Sequence, residues 1–240
     1  MALSDTKFRI AVVASTVVIG LAITGGALWL TVGQAPGAST GPGSAVSSAA
    51  ASAPAVPDLA RRIPGDPLAL GSVHAPVVMV EYADYRCPFC AAFDKETLPA
   101  LMKRYVDTGV LRIEWREFPV FGQQSIDAAV AGRAAAQQGL FWQYHHALFA
   151  LAPRMGHADL SRQVLIDTAR TVGVPNLTAF TAALDSAKLR SQVMSDAAEA
   201  QGLGASGTPT FLVGSEPLVG AQPLSVFSEV IDQQRRAAGR

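Results

Sequence analysis

The only two cysteines in the 240-residue chain lie in the tetrapeptide Cys87-Pro88-Phe89-Cys90. A C-x-x-C pair can act as a redox dithiol, supply half of a zinc site or form a purely structural disulfide. No pair of histidines has the H-x(3–5)-H spacing that would complete a zinc site. A structural disulfide that closes so small a loop would remove little chain entropy and stabilise the fold weakly. The spacing therefore favours a redox-active dithiol, and we expect neither a metal ion nor a cofactor.

The dithiol lies where a predicted strand meets a predicted helix. Residues 77–82 form a β-branched and apolar run of strand length, and apolar residues recur at helical spacing from Phe89 onward. Pro88 suits the first turn of a helix, where its missing N–H costs nothing. Cys87 then lies at the helix N-terminus, where unpaired backbone N–H groups and the helix dipole favour a thiolate.

A βαβ unit, a helical block and a second pair of strands make up the predicted α/β fold, which begins near Pro67. The helix from Pro88 is expected to reach about residue 107 with a kink at Pro99. Residues 110–117 alternate apolar and polar side chains, as a strand does. The other predicted elements are an edge strand over 68–70, helices over 125–150, 159–172 (with Asp159 as N-cap), 177–185 and 187–201, strands over 210–213 and 217–219, and a helix over 223–238.

The N-terminal part has a different composition. Residues 10–32 carry no charge and are long enough to span a bilayer. Lys7 and Arg9 precede them, so residues 1–9 are expected in the cytoplasm and the domain over 67–240 outside the cell membrane. A cleaved signal peptide is the alternative, but its apolar core is shorter. Residues 33–66, mostly Ala, Gly, Ser and Pro, are expected to form a flexible linker in which Arg61 and Arg62 are solvated.

The segment Gly207-Thr208-Pro209-Thr210-Phe211 opens the penultimate predicted strand. Proline is sterically allowed at the start of a strand, and this is the simplest interpretation. An X-Pro bond can also be cis, which can leave the preceding backbone groups free to pair with an extended peptide.

The chain has 19 basic and 19 acidic residues, and this zero net charge gives no indication of a nucleic-acid partner.

Together these motifs resemble the DsbA-like thioredoxin-fold family, and more closely its membrane-anchored members in Gram-positive and actinobacterial cells. The resemblance covers roughly residues 68–235. It implies a thioredoxin fold interrupted by a helical insertion over about 122–203, with oxidoreductase activity on protein thiols. The segments that carry it are Glu81 with the dithiol, Gly207-Thr208-Pro209-Thr210-Phe211, Val219-Gly220-Ala221-Gln222-Pro223, Glu117-Phe118-Pro119 and Gln138-Gly139-Leu140-Phe141-Trp142.

The resemblance also implies a role for each site residue. Cys87 would be the solvent-facing nucleophile, and Cys90 the buried partner that resolves mixed disulfides. Pro209 corresponds to the family's cis-proline, and Thr208 would present its backbone to the substrate. Glu81 matches a buried acid beneath the dithiol, whose raised pKa suits proton exchange with Cys90. A paired strand carboxylate is the alternative interpretation of Glu81.

Phe89 departs from the most oxidising members of the family, which carry histidine in the dipeptide. Stabilisation of the Cys87 thiolate must then come from the helix N-terminus, with help from Arg86 if its side chain turns toward the sulfur. We expect a Cys87 pKa between about 3.5, the value in DsbA, and about 7, the value in thioredoxin. The reduction potential should lie between about −120 and −270 mV. Phe89 is also expected to offer an exposed apolar contact to unfolded substrates.

The expected function is the introduction of disulfides into secreted proteins by a monomer that acts through a mixed disulfide. A membrane partner, a quinone-linked oxidase, would reoxidise the dithiol. A reductase or isomerase of the same fold is the first alternative, and a tethered binding or chaperone module without turnover is the second. His145 and His146 are expected to be solvated or to cap a helix.

Overall fold

A five-stranded mixed sheet forms the centre of the structure, a computed structural model that describes residues 58–239. The strands are β1 (Ala69–Leu70), β2 (Val77–Ala83), β3 (Leu111–Glu117), β4 (Thr210–Val213) and β5 (Glu216–Val219), in the order β1-β3-β2-β4-β5. β2 and β3 are parallel, and the other pairings are antiparallel. The predicted βαβ unit and the short edge strand are therefore confirmed.

The helix that carries the dithiol, α1 (88–106), alternates two kinds of helical turn. α-Helical turns over Pro88–Ala92 and Leu98–Leu101 are followed by π-helical turns over Phe93–Thr97 and Met102–Val106. Pro99, where the sequence predicts a kink, is the second residue after the first π-helical segment. π-Helical turns are a recognised source of bends in helices.

Five helices lie between β3 and β4 and form the predicted insertion. They are α2 (Gln123–Ala136), α3 (Phe141–Ala150), α4 (Arg162–Thr171), α5 (Leu177–Ala183) and α6 (Ala187–Gly202), and α7 (Leu224–Ala237) ends the fold. The single helix predicted over 125–150 is two helices, because Gly139 adopts a φ of 73° between them. The predicted N-cap at Asp159 is wrong, since α4 follows Ser161 and the Asp159 carboxylate accepts a hydrogen bond from Gln124.

Both faces of β2 are buried, as its continuous apolar sequence predicts. Val77 and Met79 pack with side chains of α1 and α7 on one face. Val78 and Val80 pack with α6 on the other. The strand that leads into the dithiol is therefore held from both sides, which fixes the position of the residues that follow it.

The polar side chains of β3 are also buried, and they carry an ion-pair network. The Glu114 carboxylate accepts hydrogen bonds from Arg112 at 2.7 Å and Arg116 at 2.9 Å. It also accepts the backbone N–H groups of Arg61 and Arg62 at 2.9 and 2.8 Å. Residues 58–66, which the sequence assigns to the linker, thus include a segment bound to the sheet. The expectation that Arg61 and Arg62 are solvated in a flexible linker is therefore wrong, because both donate to Glu114.

A second set of ion pairs joins the insertion to β3. Arg133 of α2 contacts Glu117 at 2.5 Å and Asp196 of α6 at 2.6 Å. Arg61 contacts Asp196 at 2.7 Å, so this set adjoins the Glu114 network. The insertion is therefore attached to the thioredoxin core by buried charge pairs as well as by apolar packing.

Within residues 58–239 no helix is long and apolar enough to cross a membrane. The predicted cytoplasmic segment over 1–9, the predicted span over 10–32 and the linker as far as residue 57 lie outside the described residues.

Candidate active site

The dithiol begins α1 in the arrangement that the sequence predicts. Cys87 is the N-cap residue, and Pro88 occupies the first turn. The Cys87 N–H donates to Asp84 O at 3.0 Å, in the turn that connects β2 to α1. The Asp84 side chain in turn accepts the N–H groups of Val120 and Phe121 at 2.7 and 3.2 Å. The turn before the dithiol is thereby tied to the segment that follows β3.

Both cysteines are free thiols and both are buried. Cys90 is fully buried, as expected, but Cys87 is only 1% exposed, so the expectation that it faces solvent is wrong for this state. Its thiol donates to Thr208 O at 3.2 Å. The neighbouring Phe89 is 64% exposed, in agreement with the predicted apolar contact surface. A substrate that reaches the Cys87 sulfur must therefore displace the contact with Thr208.

The surroundings favour the thiolate at Cys87 and the thiol at Cys90. The Cys90 thiol, which donates to the Cys87 sulfur, makes the largest contribution that lowers the pKa of Cys87, to about 6. The Thr208 side chain and the backbone N–H groups of Cys90 and Phe89 lower this pKa further, against the opposing effect of burial. Burial raises the pKa of Cys90 well above its usual value. The Cys87 value lies in the range expected from the sequence, but the leading cause is the partner thiol rather than the helix N-terminus.

Arg86 does not turn toward the dithiol. Its guanidinium donates to Ala158 O at 2.8 Å and to Phe121 O at 2.5 Å. These contacts hold the start of α1 against the segment between β3 and α2 and the loop between α3 and α4. The suggestion that Arg86 helps to stabilise the thiolate is therefore not supported, and its observed contacts give it a positioning role.

The Thr208–Pro209 segment lies beside the dithiol because of the sheet topology. The peptide bond between these residues is cis, as the resemblance implies. β4 begins directly after Pro209 and runs antiparallel to β2, with Thr210 opposite Tyr82. The end of β2 that leads to Cys87 is therefore next to the start of β4. The Thr208 hydroxyl is buried without a hydrogen-bond partner among the described residues, so it is available to a thiolate.

Glu81 is a buried, unpaired carboxyl on β2. It is 2% exposed, and its Oε2 has no hydrogen-bond partner in the described part of the chain. Burial, followed by the negative charge of Asp94, raises the pKa of Glu81 well above its usual value. Glu81 also contributes to the raised pKa of Cys90. These features favour the proton-exchanging acid over the alternative of a paired strand carboxylate.

Replacement of Glu81 by glutamine tests this role. Glutamine keeps the shape of the side chain but cannot exchange a proton, so oxidation of a dithiol peptide should slow by roughly 10²-fold. The alkylation rate of reduced Cys87 should stay unchanged, because attack by the Cys87 thiolate requires no proton from Glu81. Stopped-flow measurements of both reactions provide the check, and equal peptide oxidation rates in the two proteins would rule out a proton-transfer role for Glu81.

Sequence reasoning missed a cluster of polar residues next to the dithiol helix. His145 is 1% exposed, so the expectation that it is solvated is wrong. Its Nε2 lies 3.1 Å from Asp94 Oδ1, and its Nδ1 lies 3.3 Å from the Tyr85 hydroxyl. The half-exposed His146 places its Nδ1 2.7 Å from the same Asp94 oxygen. No spacing along the chain indicates this cluster, because it forms only where α3 packs against α1.

Comparison with known proteins agrees with this geometry. The family model described as Thioredoxin matches residues 64–233. Disulfide bond formation protein D of Bacillus subtilis (strain 168) is 27% identical over 174 residues, which cover 72% of this chain and 78% of that protein. The probable disulfide bond formation protein D of Bacillus anthracis is 28% identical over 148 residues, covering 60% of this chain and 68% of that protein.

Among solved structures, the oxidised form of BdbD from Bacillus subtilis is similar to this fold. It superposes with a TM-score of 0.66 at 26% identity, and the match covers 70% of this chain and 92% of that chain. The thioredoxin-family match and the dithiol geometry lead to the same conclusion. This chain belongs to the thioredoxin family, as a DsbA-like thiol:disulfide oxidoreductase.

Proposed function

We propose that this protein introduces disulfide bonds into secreted proteins on the outer side of the cytoplasmic membrane. The observation that carries the proposal is the opposite shift of the two thiol pKa values, to about 6 at Cys87 and well above the usual value at Cys90. A sulfur with a low pKa leaves readily from a mixed disulfide, and a stabilised thiolate favours the reduced enzyme. Both effects drive oxidation of the substrate. The names of the two Bacillus relatives support the same direction.

Electrons pass from the substrate to the dithiol in two exchange steps. A substrate thiolate attacks the Cys87 sulfur, the Cys87–Cys90 bond breaks, and Cys90 leaves and takes a proton from Glu81. The second substrate thiolate then attacks the substrate sulfur of the mixed disulfide, and Cys87 leaves as a thiolate. The substrate loses two electrons and two protons, and the dithiol is left reduced. Backbone groups beside Pro209 hold the substrate as an extended strand, and Phe89 contacts its apolar side chains.

Turnover requires an oxidant for the reduced dithiol. We assign this role to a quinone-linked oxidase in the membrane, with the apolar segment over 10–32 keeping the domain close to it. The domain is proposed to act as a monomer outside the membrane, where disulfides persist. A reductase or isomerase of the same fold would instead need a partner that keeps the dithiol reduced.

The redox state of Cys87 and Cys90 in living cells distinguishes these directions. We expect the pair to be mostly oxidised when the cells are quenched with acid and their thiols are trapped with a mass-tagged maleimide. Treatment with a reductant before trapping provides the control for complete labelling. A pair that is mostly reduced in untreated cells would assign the protein to the reductases or isomerases.

A further inference from the structure

Asp94, His145 and His146 bring three metal-ligating groups together outside the dithiol. Asp94 lies on α1, and the two histidines lie on α3. Both imidazoles contact the same carboxylate oxygen, at 3.1 Å for His145 Nε2 and 2.7 Å for His146 Nδ1. One potential ligand atom from each of the three residues lies within 4.8 Å of the other two.

These distances suit a small divalent transition-metal ion. Zn²⁺ binds imidazole nitrogen and carboxylate oxygen at about 2.0–2.2 Å, which places neighbouring ligand atoms of a tetrahedral site about 3.3–3.6 Å apart. The two nitrogen–oxygen separations fall somewhat below this spacing, so a small outward rotation of the side chains would admit the ion. Calcium and magnesium prefer oxygen ligands, so two imidazoles in a set of three favour zinc.

The surroundings orient two of the ligands and leave the third accessible. Asp94 and His145 are only 5% and 1% exposed. The Tyr85 hydroxyl, 3.3 Å from Nδ1 of His145, can accept the Nδ1 proton and so leave Nε2 free for a metal ion. The side chain of His146 is 43% exposed, so an ion can enter from solvent and keep a water ligand there.

We propose that Asp94, His145 and His146 bind one zinc ion where the dithiol helix α1 contacts helix α3 of the insertion. The ion would connect the thioredoxin core to the insertion, two parts that otherwise meet through apolar packing and buried ion pairs. Because it binds the folded chain, zinc should raise the melting temperature in a concentration-dependent way. The ion would stabilise the contact between these two parts, and its ligands are distinct from the two cysteines.

Calorimetric titration of the full-length chain with Zn²⁺ tests the proposal, with the dithiol oxidised so that the cysteine sulfurs cannot bind the metal. We expect one ion per chain, a higher melting temperature that EDTA reverses, and visible absorption bands of tetrahedral type when Co²⁺ replaces Zn²⁺. Asp94→Asn and His146→Ala should each weaken zinc binding by at least 10-fold. His74→Ala, which removes an exposed histidine elsewhere, should leave zinc binding unchanged.

Two results would overturn the proposal. One is zinc binding of equal affinity in the parent chain, Asp94→Asn and His146→Ala, which would place the metal elsewhere. The other is the absence of binding at millimolar zinc in the parent chain, which would leave the cluster as a hydrogen-bonded contact. His146 is half-exposed, so its alanine variant should fold normally, and a melting temperature without metal that matches the parent confirms this.

Discussion

Cys87→Ala is expected to reduce the oxidation of substrate thiols to the rate without the protein, because no disulfide can form and the remaining thiol is unreactive. Cys90 is fully buried and its pKa is raised well above the usual value, so it stays protonated and inaccessible to substrates. The loss of activity is measured as the rate at which a reduced, unfolded substrate protein with two cysteines is oxidised. In cells, Cys87→Ala should fail to complement deletion of the gene, and successful complementation would favour the tethered binding or chaperone module.

Cys90→Ala is the matched control, since it removes the same atoms from the other cysteine. It should also lose turnover, but it should form a stable mixed disulfide with glutathione at Cys87. Cys87→Ala should form no such adduct under the same conditions. Mass spectrometry of both variants after incubation with glutathione disulfide separates the two roles. Adduct formation on Cys87→Ala alone would show that the assignments of nucleophile and buried partner are reversed.

Glu114→Ala is expected to lower the free energy of unfolding by about 3–5 kcal/mol, because Arg112 would be left buried without a carboxylate and Arg116 would keep only the longer contact with Glu199 at 3.5 Å. Arg112 is 3% exposed, Arg116 is 1% exposed and Glu114 is fully buried. Burial raises the pKa of Glu114, but the hydrogen bonds from these arginines and from the Arg61 and Arg62 backbone outweigh it and hold the pKa at about 2. The carboxylate is therefore charged in the folded protein at neutral pH.

Urea unfolding of the oxidised protein measures this effect with the disulfide held constant. Glu114→Gln retains some of the hydrogen bonds and should cause a smaller loss. Asp167→Ala is the surface control, because its ion pair with Arg170 is solvent-exposed and should contribute nothing measurable. If Glu114→Ala and Asp167→Ala unfolded at the same urea concentration, the buried network would not be a major source of stability.

The sequence predicts most of the elements around the dithiol because local signals and the fold agree there. The continuous apolar run before Cys87 matches a strand that is buried on both faces, and Pro88 matches the first turn of α1. The position of Thr208–Pro209 beside the dithiol could be inferred only from the family resemblance. It depends on the pairing of β4 with β2, across a separation of more than 100 residues.

Features that depend on packing could not be predicted from the sequence. The alternation in β3 correctly indicates a strand, but it does not reveal that Glu114 is buried with its arginine partners. His145 and Asp94 are distant in sequence and meet only where α3 packs on α1. The burial of Cys87 was likewise missed, because its sulfur contacts Thr208, 121 residues further along the chain. The contacts of His145 and Cys87 come from distant segments of the chain, whereas the arginine partners of Glu114 lie two residues away on β3 and only the burial of the group depends on packing.

The most direct test is a titration of the reduced protein that follows the thiolate absorbance at 240 nm from pH 3 to pH 10. We expect a transition of one thiolate with a midpoint near 6, assigned to Cys87, that is absent in Cys87→Ala. In Cys90→Ala the midpoint should rise, because the leading hydrogen bond to the thiolate is removed. A Cys87 midpoint above about 8 in the unmodified protein, close to that of an ordinary cysteine, would contradict an activated thiolate.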